Sequence, residues 1–503
     1  MRSKLTSHII GKLTDFRTHL SPKDCSILTK NYKINNFFCN NSQNQDFSFL
    51  EHYLLLYMIE KQEVKYKSIS SHLKKLTNQE YHLLRTMSRA SKSLYNSTLY
   101  ETKQHYEQTN QFLRYEKAYH IVKSNPNKFL LPSQTAQQTM KMVERAMRSF
   151  FHILKEKKKG RYNRPANPPK YLKKDGYFVL IFPKDHLTIN YSKNEIGLTI
   201  PRKLKPQFQM KRLYLPLPKC LTKEDKIKEV RINPSKNAWW FNMEIIYEDE
   251  RKYEQIEDGN EDFLSIDLGV SNLATCYDDK NNKSFIIDGK NIKSYNRYFN
   301  KEIGKLQSIA KIINGKYSTK KISKLFKKRG NQLKNDFHLI SKRIVDYCLK
   351  NKIGNIVIGY NKEWKQNVEI GKTNNQNFVQ IPYRMLIHNL EYKGKDHNIK
   401  VHFTNEAYTS KADALSCEEI KKKEDFVGKR IFRGLFKSGN GKTINADLNG
   451  AINILRKHFD KCKTEFKGFN KVPKIGNSGA VIVPKRIRVD DFIVGQSSFE
   501  EKL

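Results

Sequence analysis

A single aspartate inside an apolar run is the feature that most constrains this fold. Asp267 lies in the middle of residues 264–270, and two further apolar runs follow at residues 272–277 and 284–289. Short apolar runs separated by turn residues predict a meander of three antiparallel strands. A carboxylate inside a buried strand is costly unless something pairs with it, and a bound cation is one such partner. A structural Asp, satisfied by hydrogen bonds or capping a strand end, is the alternative that this stretch leaves open.

Two later segments each add one acidic residue at the end of an element. Residues 399–406 predict a strand that ends in Glu406, and residues 444–457 predict a helix with Asp447 in its first turn. Carboxylate oxygens are the protein ligands that Mg²⁺ prefers, so these three residues are candidate metal ligands. Further acidic residues near Asp267 lie at strand ends or turns, where capping is the commoner role: Asp262, Asp278, Asp279 and Asp288.

Five segments in the second half of the chain share the motifs of one family, in that family's order. They are Ser265-Ile266-Asp267-Leu268-Gly269, Ile356-Val357-Ile358-Gly359 followed by Trp364-Lys365, Asn405-Glu406-Ala407-Tyr408-Thr409-Ser410-Lys411, Gly428-Lys429-Arg430-Ile431-Phe432-Arg433-Gly434-Leu435-Phe436, and Asn445-Ala446-Asp447-Leu448-Asn449-Gly450-Ala451. The chain therefore resembles the TnpB and Fanzor proteins, transposon-associated RNA-guided DNA nucleases related to the type V CRISPR effectors. One such motif would be a weak signal, whereas five in sequence are specific.

The resemblance implies an Mg²⁺-dependent endonuclease that hydrolyses phosphodiester bonds of double-stranded target DNA. Asp267 is implied to bridge two Mg²⁺ ions, with Mn²⁺ as the alternative, while Glu406 and Asp447 each hold one. The implied guide is a transposon-end-derived RNA of the omega-RNA type, whose pairing selects the target together with a short flanking motif. We expect a monomeric protein in an RNA–protein complex.

The charge of the chain also predicts a nucleic-acid partner. The 503 residues contain 94 Lys and Arg against 51 Asp and Glu, a formal net charge of +43. The basic residues are spread over the whole length, which favours nucleic acid over a membrane surface. The sequence has neither an apolar run of membrane-spanning length nor a signal-peptide core, so we expect an intracellular protein. The nucleus is the expected location in a eukaryotic host, where residues 484–488 resemble a basic import cluster, and the cytoplasm otherwise.

The pattern along the chain predicts a multidomain α+β protein. The predicted domains are an N-terminal extension at 1–75 (with the first part of a β-barrel as the alternative), a helical domain at 76–165, a small β-barrel at 166–258, an α/β nuclease domain at 259–460 and a C-terminal tail at 461–503. Thr77 and Glu80 predict a capping box at the first helix. The element order βββαβαβα after residue 259 is that of an RNase H-like fold. By resemblance, these domains are the recognition lobe, the wedge and a RuvC-like nuclease with a basic helical hairpin at 290–350.

The interval between the second and third carboxylates is a predicted lid, residues 408–444. Arg433 in this lid is a fourth catalytic candidate that would clamp the scissile phosphate, with an ordinary backbone contact as the alternative. Many relatives carry two CxxC pairs that bind zinc here, whereas this interval holds only Cys417, so no zinc is expected. Asp413 is predicted to be structural. An apolar frame is predicted to pack the lid: Ala412, Leu415, Ile420, Phe426, Val427, Ile431, Phe432, Leu435 and Phe436.

Two other functions stay open. A non-cleaving RNA-guided binder or repressor is expected to lose one carboxylate, and all three positions are filled here. A transposase or junction resolvase could use the same fold, but the predicted helical and barrel modules before the nuclease argue against it. A discrete RNA that co-purifies with the protein would favour the guided functions.

Overall fold

The computed structural model describes residues 66–315, 317–361, 380–465, 473 and 483–489. It divides into two compact units, residues 1–250 and 251–503. The N-terminal extension up to residue 65 and the predicted loop that opens at Trp364 lie outside the described residues. The finer division of the chain into five domains stays a prediction.

The helical part of the first unit contains α1 (Asn78–Thr109), α2 (Tyr115–Val122) and α3 (Ser133–Lys158). The predicted capping box at α1 is confirmed, because Thr77 Oγ1 accepts from the Glu80 amide and Glu80 Oε2 accepts from the Thr77 amide. Helices α1 and α3 pack together through their apolar stripes. The eight-residue α2 was missed, because so short a segment carries little helical periodicity.

The rest of the described first unit contains seven strands. They are β1 (Tyr66–His72), β2 (Leu180–Pro183), β3 (Leu187–Asn190), β4 (Glu195–Thr199), β5 (Arg212–Pro216), β6 (Lys226–Pro234) and β7 (Phe241–Glu248), with a short helix α4 (Lys205–Phe208) before β5. They form two antiparallel sheets, in the orders β1-β7-β6-β2 and β3-β4-β5, and one hydrophobic cluster joins both sheets to α1. The sequence predicted a single small barrel. Strands of four or five residues do not show which partners they pair with, so the division into two sheets could not be foreseen.

The second unit is built on a six-stranded sheet. Its elements are β8 (Phe263–Leu268), β9 (Asn272–Asp278), β10 (Lys283–Asp288), α5 (Lys290–Asn314), α6 (Lys320–Lys350), β11 (Asn355–Gly359), α7 (Tyr383–Asp396), β12 (Lys400–Thr404), β13 (Lys429–Phe432), β14 (Leu435–Lys437), β15 (Thr443–Asn445), α8 (Ala446–Glu465) and β16 (Lys485–Ile487). The strand order is β12-β11-β8-β9-β10-β16. Strands β8, β9 and β10 pair antiparallel, as the predicted meander requires, while β11 runs parallel to both β8 and β12. The apolar faces of these strands and of α6 and α7 form one core.

Several boundaries differ from the predicted ones. Glu406 lies two residues beyond the end of β12, and Ile444 and Asn445 belong to β15, so α8 begins at Ala446. The predicted basic hairpin consists of α5 and α6, which pack against each other. None of the helices in the described ranges combines the length and apolar character needed to cross a lipid bilayer.

The last described strand falls in the predicted C-terminal tail. Residues Lys485–Ile487 form β16, which pairs parallel with β10, and Arg486 forms an ion pair of 3.2 Å with Asp288. Ile487 is fully buried beside the core. The sequence analysis interpreted this stretch as a basic cluster, because three residues are too few to show a strand pattern. In the structure, residues 485–487 form the edge strand of the six-stranded sheet.

Candidate functional site

The fold places Asp267 on a central strand of the six-stranded sheet. It is the fifth residue of β8, and the other five residues of that strand are buried. Asp267 is the one residue of β8 that is partly exposed. Strand β8 lies between β11 and β9, which support it on both sides.

Glu406 and Asp447 approach from two other elements. The Glu406 carbonyl accepts from the amide and hydroxyl of Thr409, which fixes the turn after β12. Asn445 Oδ1 accepts from the amides of Asp447 and Leu448 at 3.0 and 3.1 Å, so Asn445 caps α8 and holds Asp447 in its first turn.

Two glycines show how closely these elements approach the carboxylates. A β-carbon placed on Gly450 of α8 would lie 2.8 Å from Asp267 Oδ2. A β-carbon placed on Gly359, at the end of β11, would lie 3.4 Å from Glu406 Oε2. Helix α8 and the end of β11 therefore pack directly against the two carboxyl groups.

The three carboxyl groups share one electrostatic environment. Burial raises the pKa of Asp267 well above its usual value, and the charges of Asp447 and Glu406 raise it further, while Arg430 opposes the shift. Burial also raises the pKa of Glu406, to about 7. Two like charges near a desolvated carboxylate disfavour its ionised form, and a bound cation would reverse that preference.

The donor set fits Mg²⁺, although the side chains do not surround a single point. No group of three or more His, Cys, Asp or Glu side chains in the described part of the chain is placed to hold a metal ion. A two-ion site does not need all three carboxylates on one ion, because Mg²⁺ retains several waters and takes one or two carboxylates. Carboxylate oxygens are the donors that Mg²⁺ takes, and the like charges that raise the pKa of Asp267 are those that a bound divalent cation would offset.

Two arginines of the lid border this group. Arg430 Nη2 lies 3.3 Å from Asp447 Oδ1, whereas Arg433 Nη2 donates to Ser271 Oγ at 3.2 Å in the loop between β8 and β9. Both side chains are exposed. The role predicted for Arg433 as a phosphate clamp stays a prediction. The arginine that contacts a carboxylate is Arg430, which the sequence analysis did not single out.

Two further residues at the site were missed. Asn272, the first residue of β9, donates from Nδ2 to Asp447 Oδ2 at 2.6 Å. Tyr383, the first residue of α7, donates from its hydroxyl to the Gly269 carbonyl at 2.8 Å, and its pKa is raised by burial and by Asp267 and Glu406. Neither residue type is distinctive in the sequence, so only the register of the strands and the packing of α7 could show these contacts.

The other acidic residues near Asp267 have structural partners. Asp262 forms an ion pair of 2.8 Å with Lys280. Asp278 accepts from the Tyr347 hydroxyl at 2.7 Å, and Asp288 Oδ1 accepts from the Lys290 amide at the start of α5. These contacts agree with the capping and structural roles predicted for acids at strand ends.

Comparison with known proteins finds matches to described families within this region. Residues 244–365 match the family OrfB_IS605, described as a probable transposase, and residues 383–454 match the Cas12f1-like TNB domain. The TnpB-like protein ORF457 of Acidianus two-tailed virus is 24% identical over 408 residues, which cover 74% of this chain and 83% of that protein. The fold resembles that of the protein in a cryo-EM structure of a Cas12f1–sgRNA–target DNA complex, with a TM-score of 0.51 at 15% identity, over 90% of this chain and 95% of that one.

Two stretches of the second unit are therefore similar to the OrfB_IS605 family and to the Cas12f1-like TNB domain. The TNB match includes Glu406, the lid and Asp447, while the OrfB match includes Asp267. More particularly, the chain is TnpB-like, which confirms the resemblance predicted from its motifs.

Proposed function

We propose that this chain is an RNA-guided DNA endonuclease whose second unit is an RNase H-like, RuvC-type nuclease domain. The observation that carries the proposal is the shared environment of Asp267 on β8, Glu406 after β12 and Asp447 in the first turn of α8. Three antiparallel strands followed by two parallel strands and a final helix support the RNase H-like assignment.

The three carboxylates would hold the divalent ions, Mg²⁺ or Mn²⁺. When bound, two such ions neutralise charge on the attacked phosphate and supply a water of lowered pKa. The charges of both other carboxylates act on Asp267, which supports our proposal that Asp267 is the ligand shared by the two ions. Asn272 and Arg430 bind the two oxygens of Asp447, which fixes that carboxylate and leaves its rotation restricted. Glu406 must give up a proton near neutral pH to act as a ligand.

The partners of the proposed reaction are a guide RNA and double-stranded DNA. The net charge of +43 needs a polyanion to neutralise it, and helices α5 and α6 are rich in Lys and Arg. The similar Cas12f1 protein was solved in complex with an sgRNA and a target DNA. For this chain we propose an omega-type RNA from the transposon end, held by the first unit as recognition and wedge domains. The proposed assembly has one protein copy and acts inside the cell, in the nucleus of a eukaryotic host.

A cleavage assay with matched variants tests the proposal. The protein is co-expressed with the RNA encoded next to its gene, and the bound RNA is sequenced and matched to a DNA target with a randomised flank. Asp267→Ala is expected to abolish cleavage while leaving RNA binding intact, because it removes the shared ligand. Asp262→Ala is the matched control, since Asp262 lies next to the same strand but pairs with Lys280. Cleavage by Asp267→Ala at the wild-type rate would refute the assignment.

A second candidate function is a guided DNA-binding repressor that does not cut, and one observation favours it. The carboxylates of the described residues do not converge on one ion-binding point. A repressor would bind the matched target through its RNA and leave the DNA intact with Mg²⁺ or Mn²⁺, and the same assay reports both results. The third candidate, a junction resolvase, predicts no discrete bound RNA.

A further inference from the structure

Two acidic residues of the lid that take no part in the proposed chemistry are buried at the base of a hairpin. The hairpin consists of β13 and β14, and the two acids are Asp413 and Glu418. Asp413 is fully buried and Glu418 is 7% exposed. Buried carboxylates are costly unless their oxygens accept hydrogen bonds, so the donors around them show what they hold.

Asp413 binds the end of the hairpin that follows β14. Its Oδ2 accepts from Ser438 Oγ at 2.6 Å and from the Gly439 amide at 2.8 Å. The same oxygen accepts from Ser416 Oγ at 2.7 Å, and Oδ1 accepts from the Leu415 amide at 3.0 Å. Burial would raise the pKa of Asp413, but these hydrogen bonds outweigh it and lower the pKa, so the carboxylate stays ionised.

Glu418 binds the other end of the hairpin, which precedes β13. Its Oε1 accepts from the Val427 amide at 3.2 Å and lies 3.5 Å from Lys423 Nζ. Its Oε2 accepts from the amide of Asp413 at 2.9 Å, which joins the two acids to each other. Both ends of the hairpin are therefore held by one connected pair of carboxylates.

This pair is also tied to the helix that carries Asp447. Arg456 of α8 donates to the Glu418 carbonyl at 2.9 Å and to Asn453 Oδ1 at 2.7 Å. Asn449 of α8 accepts from the Ala414 amide and donates to the Ala412 carbonyl. The base of the hairpin and α8 are thus one hydrogen-bonded assembly, and the hairpin's Arg430 reaches Asp447 from it.

We propose that Asp413 and Glu418 form a carboxylate clamp that positions the hairpin so that Arg430 meets Asp447; this inference rests on the proposed function. Arg430 is itself exposed and lies on a strand whose four residues are all exposed, so packing of β13 does not fix it. The strand is fixed instead through its pairing with β14 and through its two anchored ends.

In a four-cysteine site a tetrahedral zinc ion joins two turns of the chain. In this clamp, hydrogen bonds join the two turns instead. Asp413 and Ser416 are three residues apart, the spacing of a CxxC pair, and they meet Ser438 from the second turn. The hydroxyls of Ser416 and Ser438 lie 3.1 Å apart. Such an assembly needs an acceptor at its centre, and the fully buried Asp413 carboxylate supplies it.

The decisive variant is Asp413→Asn, which keeps the size of the side chain and replaces an acceptor with an amide donor. In either orientation of the Asn amide, its Nδ2 faces a backbone N–H that can only donate, that of Gly439 or that of Leu415, so the network at the hairpin end is weakened. Cleavage by Asp413→Asn is expected to fall about tenfold. Ser438→Ala removes one of the donors and is expected to show a smaller loss in the same direction.

A double-mutant cycle separates positioning from general stability. If Asp413 acts through Arg430, then the double variant Asp413→Asn with Arg430→Ala cleaves no more slowly than Arg430→Ala alone. Losses that multiply would contradict the inference. Asp425→Asn, an exposed acid of the same segment, is the matched control and is expected to cleave like the wild type.

Hydrogen exchange of the protein without nucleic acid gives a readout independent of cleavage. Peptides covering residues 427–439 are expected to exchange about tenfold faster in Asp413→Asn, with α1 and α3 unchanged. Unchanged exchange there would overturn the clamp even if the chain is a nuclease. Cleavage retained in Asp267→Ala would overturn the nuclease assignment, whereas the exchange result would still decide the clamp.

Discussion

Asn272 Nδ2 lies 2.6 Å from Asp447 Oδ2, so the first residue of β9 orients a carboxylate in the first turn of α8. The contact joins two elements that are 175 residues apart in the sequence. On its other oxygen the same carboxylate meets Arg430. Asp447 is therefore held from two sides, and each side can be tested separately.

Removing the amide partner of Asp447 is expected to slow cleavage without unfolding the protein. Asn272→Ala leaves Oδ2 without its donor, and a fall in the cleavage rate of about tenfold is expected for one lost hydrogen bond to a charged group. Asn272→Asp is expected to be slower still, because it adds a like charge beside Asp447. Single-turnover cleavage and thermal unfolding of both variants check this, and equal rates for the two variants would argue against an electrostatic role.

The two lid arginines are expected to differ in effect. Arg430→Ala removes the cation that meets Asp447 and should lower cleavage by about tenfold, whereas Arg433→Ala removes only a contact with Ser271. Cleavage rates of the two variants, measured at saturating DNA, show whether the loss is larger for Arg430→Ala, as expected. A larger loss in Arg433→Ala would instead favour the phosphate clamp predicted from the sequence.

Stability without divalent ions is expected to fall as the pH rises through the titration of Glu406. The pKa of Glu406 is about 7 in the folded chain and 4.5 ordinarily. Between pH 4.5 and pH 7 the folded state therefore binds more protons than the unfolded state. The folded state loses this advantage as the pH rises and Glu406 releases its proton. The free energy of unfolding should decrease by about 1–3 kcal/mol between pH 5 and pH 8 from this group. Glu406→Gln should flatten that part of the curve in chemical denaturation with EDTA, and an unchanged slope would contradict the assigned burial.

Divalent ions are expected to stabilise the wild type and not a variant that lacks the shared ligand. Mg²⁺ or Mn²⁺ would relieve the repulsion among the three carboxylates and raise the unfolding temperature. Asp267→Asn removes one of the repelling charges, so it should be more stable than the wild type in EDTA and gain little from Mg²⁺. Calorimetry with and without the ion measures both effects, and equal stabilisation of the two proteins would place the ion elsewhere.

Much of the second unit could be predicted from local patterns. The meander around Asp267, the helical hairpin and the capping box at Thr77 each depend on residues within a few positions of one another. The grouping of Asp267, Glu406 and Asp447 into one site came from the family resemblance of their motifs and stays a prediction. Local periodicity and short motifs carry this information because strand alternation and helix capping are properties of neighbouring residues.

In the lid, residues 408–444, local patterns did not predict which side chains are buried. The predicted apolar frame is only partly buried, since Ala412 and Phe436 lie in the core while Val427, Ile431 and Phe432 are exposed. What holds the base of the lid is the polar assembly around Asp413, which combines donors from residues 415–416 and 438–439. An Asp between Ala412 and Ala414 carries no sign, in the sequence, of such donors.

The sequence by itself predicted the TnpB-like resemblance, which the comparisons confirm, and most of the order of the main elements, while its assignment of the three acidic positions to one metal site stays a prediction. Only the tertiary structure decided that Arg430 meets Asp447, that Asn272 orients it, that residues 485–487 complete the sheet and that Asp413 is a buried acceptor. The physical reason is that each of these depends on strand pairing or on packing between segments far apart in the chain. In a strand, a shift of one residue in register would turn the side chain to the opposite face.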